Sequence, residues 1–131
     1  MRNSCLIEIP ICELLITAGL GNYWDNISFE MMPFRPDEVP DKADLGVRIS
    51  GNSMEPKISD GDIVWVKECS QVENGEIGIF IFDGDAYCKK LKKDTKKRLL
   101  YLVSLNPDYD PIKVGPDDRF YTIGRVLRKI F

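Results

Sequence analysis

A mainly β domain of short antiparallel strands and hairpins follows from three observations on this chain of 131 residues. From Val47 onward, short apolar-rich runs are separated by turn signals every eight to twelve residues or so, the spacing of a compact β-rich fold. The signals themselves, Asp60-Gly61-Asp62, Glu73-Asn74-Gly75, Asp83-Gly84-Asp85 and Asn106-Pro107-Asp108, contain the Asn-Gly and Asp-Gly pairs that accept the positive φ of tight hairpins. In Ala86 to Leu91, alternation sets Tyr87, Lys89 and Leu91 on one face and Cys88, Lys90 and Lys92 on the other, the two-residue period of a strand.

Length and composition bound the rest. The chain is long enough for one domain with a core and not comfortably two. Hydrophobic residues make up 44% and aromatics 10%, a globular composition, and no apolar run approaches the roughly 18 residues needed to span a bilayer. A net charge of −3 gives no overall attraction to a phosphate backbone, and the basic run from Lys89 to Arg98 reads as a solvated hairpin tip. Cysteines at 5, 12, 69 and 88 show no CxxC spacing, and with no histidine in the chain neither a metal site nor another cofactor is expected. Reduced thiols in the cytoplasm are the expectation. The start, Met1 to Pro10, lacks the long apolar stretch of a secretory signal.

Taken in order, Leu6 to Ile11 reads as a short extended segment, with Pro10 suggesting a sheet edge. Cys12 to Tyr23 is too short in its apolar part to assign by period, and Gly19 and Gly21 loosen the chain beyond it. Between Met31 and Gly46, prolines at 33, 36 and 40 with four acidic residues describe a loop over the surface. The candidate strands are Val47 to Ile49, Ile63 to Val66, Ile77 to Phe82, Ala86 to Leu91, Leu99 to Leu105 and Tyr121 to Ile130. Residues 1–46 thus form an amino-terminal segment and 47–131 the core of a single domain.

The chemistry concentrates in Val47-Arg48-Ile49-Ser50-Gly51-Asn52-Ser53-Met54-Glu55-Pro56, an alternating strand that runs into a glycine turn with a serine at its tip. A serine hydroxyl needs a neighbouring base to act as a nucleophile. With no histidine available, a Ser-His-Asp triad is excluded. The remaining well-known partner is a lysine whose pKa is lowered by burial. Lys89, on the face of its strand that carries Tyr87 and Leu91, is that candidate in preference to Lys90. Taken alone, Ser53 would equally fit a capping or turn serine, and Lys89 a surface lysine lying along apolar neighbours.

Ser50-Gly51 and Ser53-Met54-Glu55-Pro56 resemble the serine motif of the LexA, phage-repressor and UmuD group of serine-lysine peptidases, with a related motif in bacterial signal peptidases. Tyr87-Cys88-Lys89-Lys90-Leu91-Lys92-Lys93 resembles the lysine strand of the LexA-like group, and the separation of 36 residues (89 − 53) fits it. Asp60 to Val64, Gly75 to Gly78 and Ile123 to Leu127 add to the likeness, which runs from about Cys12 to Phe131. It implies a LexA/signal-peptidase-like β-fold, an oxyanion hole from the amides of Asn52 and Ser53, and self-cleavage between a small residue and glycine. Ala18-Gly19, 35 residues before the serine (53 − 18), is the candidate for that bond, although by itself it equally fits an ordinary turn dipeptide: small side chains let an extended backbone lie in a narrow cleft, and tethering supplies effective molarity.

The same likeness implies a cytoplasmic transcriptional repressor of the SOS response to DNA damage. It would be homodimeric, with Tyr121 to Ile130 as an edge strand able to add to its twin. A RecA filament or an antirepressor protein would trigger cleavage, and DNA would be bound through a helix-turn-helix domain that this chain does not contain. The alternatives are a non-enzymatic repressor dimerisation module, a UmuD-like polymerase accessory protein, and a signal-peptidase-like enzyme acting on other chains.

Overall fold

A computed structural model of the chain describes residues 5–13 and 29–130. Among them, nine strands form one sheet: β1 (Ile7–Glu13), β2 (Phe29–Phe34), β3 (Leu45–Arg48), β4 (Ile63–Glu68), β5 (Ile77–Phe82), β6 (Asp85–Asp94), β7 (Leu99–Val103), β8 (Ile112–Val114) and β9 (Phe120–Lys129). Their order across the sheet is β2-β1-β3-β4-β9-β5-β6-β7-β8. Every adjacent pair is antiparallel except β1 and β3, which are parallel. The mainly β class is the one the turn spacing predicts.

Local chemistry accounts for the connections. Asp83 and Gly84 take φ of 52° and 88°, the two positive values of a type I′ turn, and close the β5–β6 hairpin at the Phe82–Asp85 pair. Alternation along β5 sends Ile79 and Ile81 into one apolar cluster with Val47, Met54 and Cys88, and Phe80 into another with Leu91, Leu102 and Val114. The central β4 is covered on both faces, since Val64, Trp65 and Val66 are all fully buried. Phe34 from β2 meets Trp65 edge-on with ring centroids 4.9 Å apart, so the β1–β2 hairpin is part of the core's cover.

Three expectations about the elements change, and one strand, β8, is added. The stretch read as a surface loop begins as β2, whose Pro33 is tolerated because β2 is the outermost strand. Leu6 to Ile11 is not at the edge: β1 pairs β2 from Ile7 to Cys12, and its pairing with β3 begins at Ile11, one residue past Pro10. The proline thus marks the part of β1 with one free side. The three-residue β8 has too little sequence to register as a period. Tyr121 to Ile130, read as an edge strand, lies inside the sheet: β9 pairs β5 from Phe120 to Arg125 and β4 from Gly124 to Lys129. It changes partner near Gly124, where a Cβ would strike the Lys67 carbonyl oxygen and Val66 Cγ1, so only glycine fits. Beyond Arg125 its β5 side is without a strand among the described residues.

Candidate active site

Ser53 sits in the connection between β3 and β4. The ladder continues past β3 through Ile49, whose amide donates to the Asp62 carbonyl and whose carbonyl accepts from Gly61, both at 2.8 Å. The chain then breaks away at Gly51, which has φ +90° and donates its amide to Asp60 Oδ1 at 2.8 Å. A side chain there would be strained by the backbone alone. Residues 52–58 form a coiled turn, with Glu55 N donating to the Asn52 carbonyl and Ile58 N to the Met54 carbonyl. Met54 and Ile58 are buried in the main core and hold this turn down. Asn52 faces solvent and Ser53 is half-buried. Among the described residues the amides of Asn52 and Ser53 have no intramolecular acceptor, so both are available to an oxygen of another group.

Lys89 comes from the middle of β6, opposite Gly78 of β5. It is 6% exposed, an exceptional degree of burial for a lysine. Burial lowers its pKa below the ordinary lysine value, and only a charged Cys88 thiolate would pull the other way. Cys88 is itself pushed up to about 12 by burial, so at neutral pH it is a neutral thiol and offers Lys89 no counter-ion. The nearest aromatic faces are Tyr109 at 5.6 Å and Tyr87 at 6.0 Å from Nζ, and a ring face favours the ammonium modestly.

Ser53 and Lys89 line one cleft of about 360 Å³, walled also by Asn52, Ser104, Tyr109 and Asp110. In this structure Lys89 Nζ donates to Ser104 Oγ at 2.8 Å. The Ala18-Gly19 bond lies outside the described residues. The segment that holds it joins Glu13 of β1 to Phe29 of β2.

Two residues escape a reading by motif, Ser104 in the wall of this cleft and Asn106 against the backbone of the serine turn. Ser104 directly follows β7, and in the β6–β7 register Lys90 faces Val103 and Leu91 faces Leu102, which continues to Lys89 facing Ser104. Counting outward from the turn at 95–98 would have found it. Asn106 donates its amide to the Ser53 carbonyl at 2.9 Å and its side-chain Nδ2 to the Asn52 carbonyl at 3.0 Å. No local pattern signals that contact, which spans 54 residues. Among the described residues no group of three or more acidic or cysteine side chains is placed to hold a metal ion, and no helix is long and apolar enough to cross a membrane.

Comparison with known proteins gives these features a context. The Peptidase S24-like family model matches residues 10–127. The chain is 33% identical over 123 residues to the LexA repressor of Carboxydothermus hydrogenoformans, covering 93% of this chain and 59% of that protein. It is 38% identical over 123 residues to the LexA repressor of Oleidesulfovibrio alaskensis, with 93% and 58% covered. With the LexA repressor of Acidothermus cellulolyticus it shares 35% identity over 126 residues, 95% of this chain and 44% of the relative. The chain therefore spans between two fifths and three fifths of the length of these relatives.

Proposed function

The chain belongs to the Peptidase S24-like family, and on that premise we propose that it is a serine-lysine endopeptidase that cuts its own Ala18-Gly19 bond within a LexA-type repressor. The observation that carries this reading is Lys89, a lysine withdrawn from water with its charge disfavoured, on the wall of the cleft that also holds Ser53. A buried, unpaired ammonium is costly to a fold, and a neutral amine beside a hydroxyl is what a histidine-free nucleophile needs.

The chemistry runs in two halves. Ser53 Oγ bonds to the Ala18 carbonyl carbon as its proton passes to Lys89 Nζ, and the amides of Asn52 and Ser53 receive the developing oxyanion. The Ala18–Gly19 C–N bond breaks, the Gly19 amine takes the proton from Lys89, and an ester remains on Ser53. Water then attacks that ester with Lys89 again as base, which releases the Ala18 carboxyl group and restores Ser53.

The sheet supports a cut within the same chain. Because β1 and β3 are parallel, the chain leaves Glu13 at the end of the sheet where β3 leaves Arg48 for the serine turn. These two residues pair in the register, and their side chains are 3.8 Å apart. Ala18 lies five residues beyond Glu13, and Ser53 five beyond Arg48. Five residues of extended chain reach at most about 17 Å, a length that would let the bond meet the nucleophile of its own chain, where weak recognition suffices.

In such a repressor the cut would part a DNA-binding region from this domain and relieve repression, with a RecA filament or an antirepressor protein as trigger. The edge of β9 from Val126 to Lys129, without a strand on its β5 side among the described residues, would serve homodimerisation by adding to the same edge of a second copy. The test is intact mass against time for the purified protein beside Ser53→Ala and Lys89→Ala. Two fragments meeting between Ala18 and Gly19, absent from both variants, are expected. An intact chain throughout, at alkaline pH and with activator present, would overturn the enzymatic reading in favour of a non-enzymatic dimerisation module.

A further inference from the structure

Among the described residues the side chains of Lys89 and Ser104, 6% and 8% exposed, are the buried polar or charged ones, and they are bonded to each other at 2.8 Å. A lysine carries four methylenes and about 2 kcal/mol of rotamer entropy, so burial alone does not aim its amine. The hydroxyl of Ser104 supplies the missing direction. It comes one residue after β7, whose last pair is Val103 with Lys90 and whose Leu102 is fully buried, so the end of a packed strand sets its place beside Lys89. Two residues on, Asn106 bonds the carbonyls of Asn52 and Ser53, while Leu105 packs on the core between them. One three-residue run thus touches the amine on one side and the backbone of the serine turn on the other.

We propose that Ser104 is the positioning residue of Lys89, its Oγ accepting one Nζ–H so that the lone pair of the neutral amine is left for the Ser53 proton, with Ser104-Leu105-Asn106 acting as a brace between base and nucleophile. The proposal rests on the serine-lysine reading for its catalytic consequence. A neutral amine has two N–H donors and one lone pair. Spending a donor on Ser104 fixes the rotation about Cε–Nζ, and with it the direction of the lone pair. The same hydrogen bond is accepted from the ammonium and therefore favours the charged form. The titratable groups around this amine are Cys88 and Tyr87 on β6, and Tyr109 and Asp110 beyond β7.

Two measurements decide it, and only one requires cleavage. In a Ser53→Ala background, which removes the nucleophile and keeps the chain whole, the Lys89 amine is titrated through the NMR shift of its 13C-labelled Cε, with and without Ser104→Ala. The Lys89 midpoint moves to lower pH when Ser104 is removed, and Ser104→Thr keeps it in place. With Ser53 intact, Ser104→Ala cleaves on the order of 10- to 100-fold more slowly at its plateau, and Ser104→Thr restores the rate. An unmoved Lys89 midpoint, or undiminished cleavage by a folded Ser104→Ala protein, overturns the proposal. If the parent chain itself does not cleave, the serine-lysine reading fails while the titration still decides whether Ser104 holds the amine.

Discussion

Met54 comes directly after the candidate nucleophile and is 1% exposed, packed in the main core with Val47, Val64 and Ile81. Met54→Ala deletes three side-chain heavy atoms from that site. At about 0.8 kcal/mol for each buried methylene-sized group, the transfer loss alone is about 2.4 kcal/mol. The cavity adds to this, since β4 and β5 are held on both sides and cannot collapse onto it, which gives a total of about 2–5 kcal/mol. The substitution touches neither Ser53 nor Lys89, so any effect on cleavage comes from loosening the turn that Met54 and Ile58 hold to the core. Urea unfolding reads the stability as a shift of midpoint at constant slope, and fragment mass reads the cleavage rate in the same samples. Met54→Leu, which keeps the volume, should cost less than about 1.5 kcal/mol and cleave near the parental rate. A loss below about 1 kcal/mol for Met54→Ala would refute the view that this side chain anchors the serine turn.

Cleavage should rise about tenfold per pH unit while Lys89 is mostly protonated and level off below the ordinary lysine pKa, because the neutral amine is the base; a flat profile would remove Lys89 from that role. Stability should depend on the same group. Its folded pKa lies below the ordinary 10.5, so the unfolded chain binds more protons between those two values and stability rises with pH across that window. Lys89→Met is therefore expected to unfold at higher urea than the parent at neutral pH, with the gap narrowing as the pH nears 10.5, and equal midpoints at all pH values would contradict this. A Cβ at Gly51 meets no atom within 4 Å but must hold φ near +90°, so Gly51→Ala should cost about 1–3 kcal/mol through the backbone alone and slow cleavage; an unchanged midpoint would show that the turn relaxes. Burial pushes Cys12 up to about 11 and Cys88 up to about 12, so mass-detected alkylation of the native protein should label exposed Cys5 first and reach Cys12 and Cys88 only on unfolding.

Features that rest on short-range physics were legible in the sequence. Asp83-Gly84 specifies a two-residue hairpin because few other residues accept two successive positive φ values, and alternation from Ala86 to Leu91 put Lys89 with Tyr87 and Leu91 because side chains in a strand alternate faces whatever the strand pairs with. The absence of histidine narrowed the partner of a nucleophilic serine to lysine before any contact was known. Features that depend on partners far apart in the chain came from the fold. Pro10 and the closing strand both looked like edge signals, yet β1 and β9 lie inside the sheet, since β1 gains β3 as a second neighbour at Ile11 and β9 passes from β5 to β4, and a residue's own sequence window does not contain its neighbours. Likewise the burial of Lys89, the 2.8 Å bond from its amine to Ser104 and the grip of Asn106 on the serine turn exist only once β6, β7 and the β3–β4 connection are brought together. A strand's faces are set by its own backbone, whereas the water lost around a lysine is set by everything that packs against it.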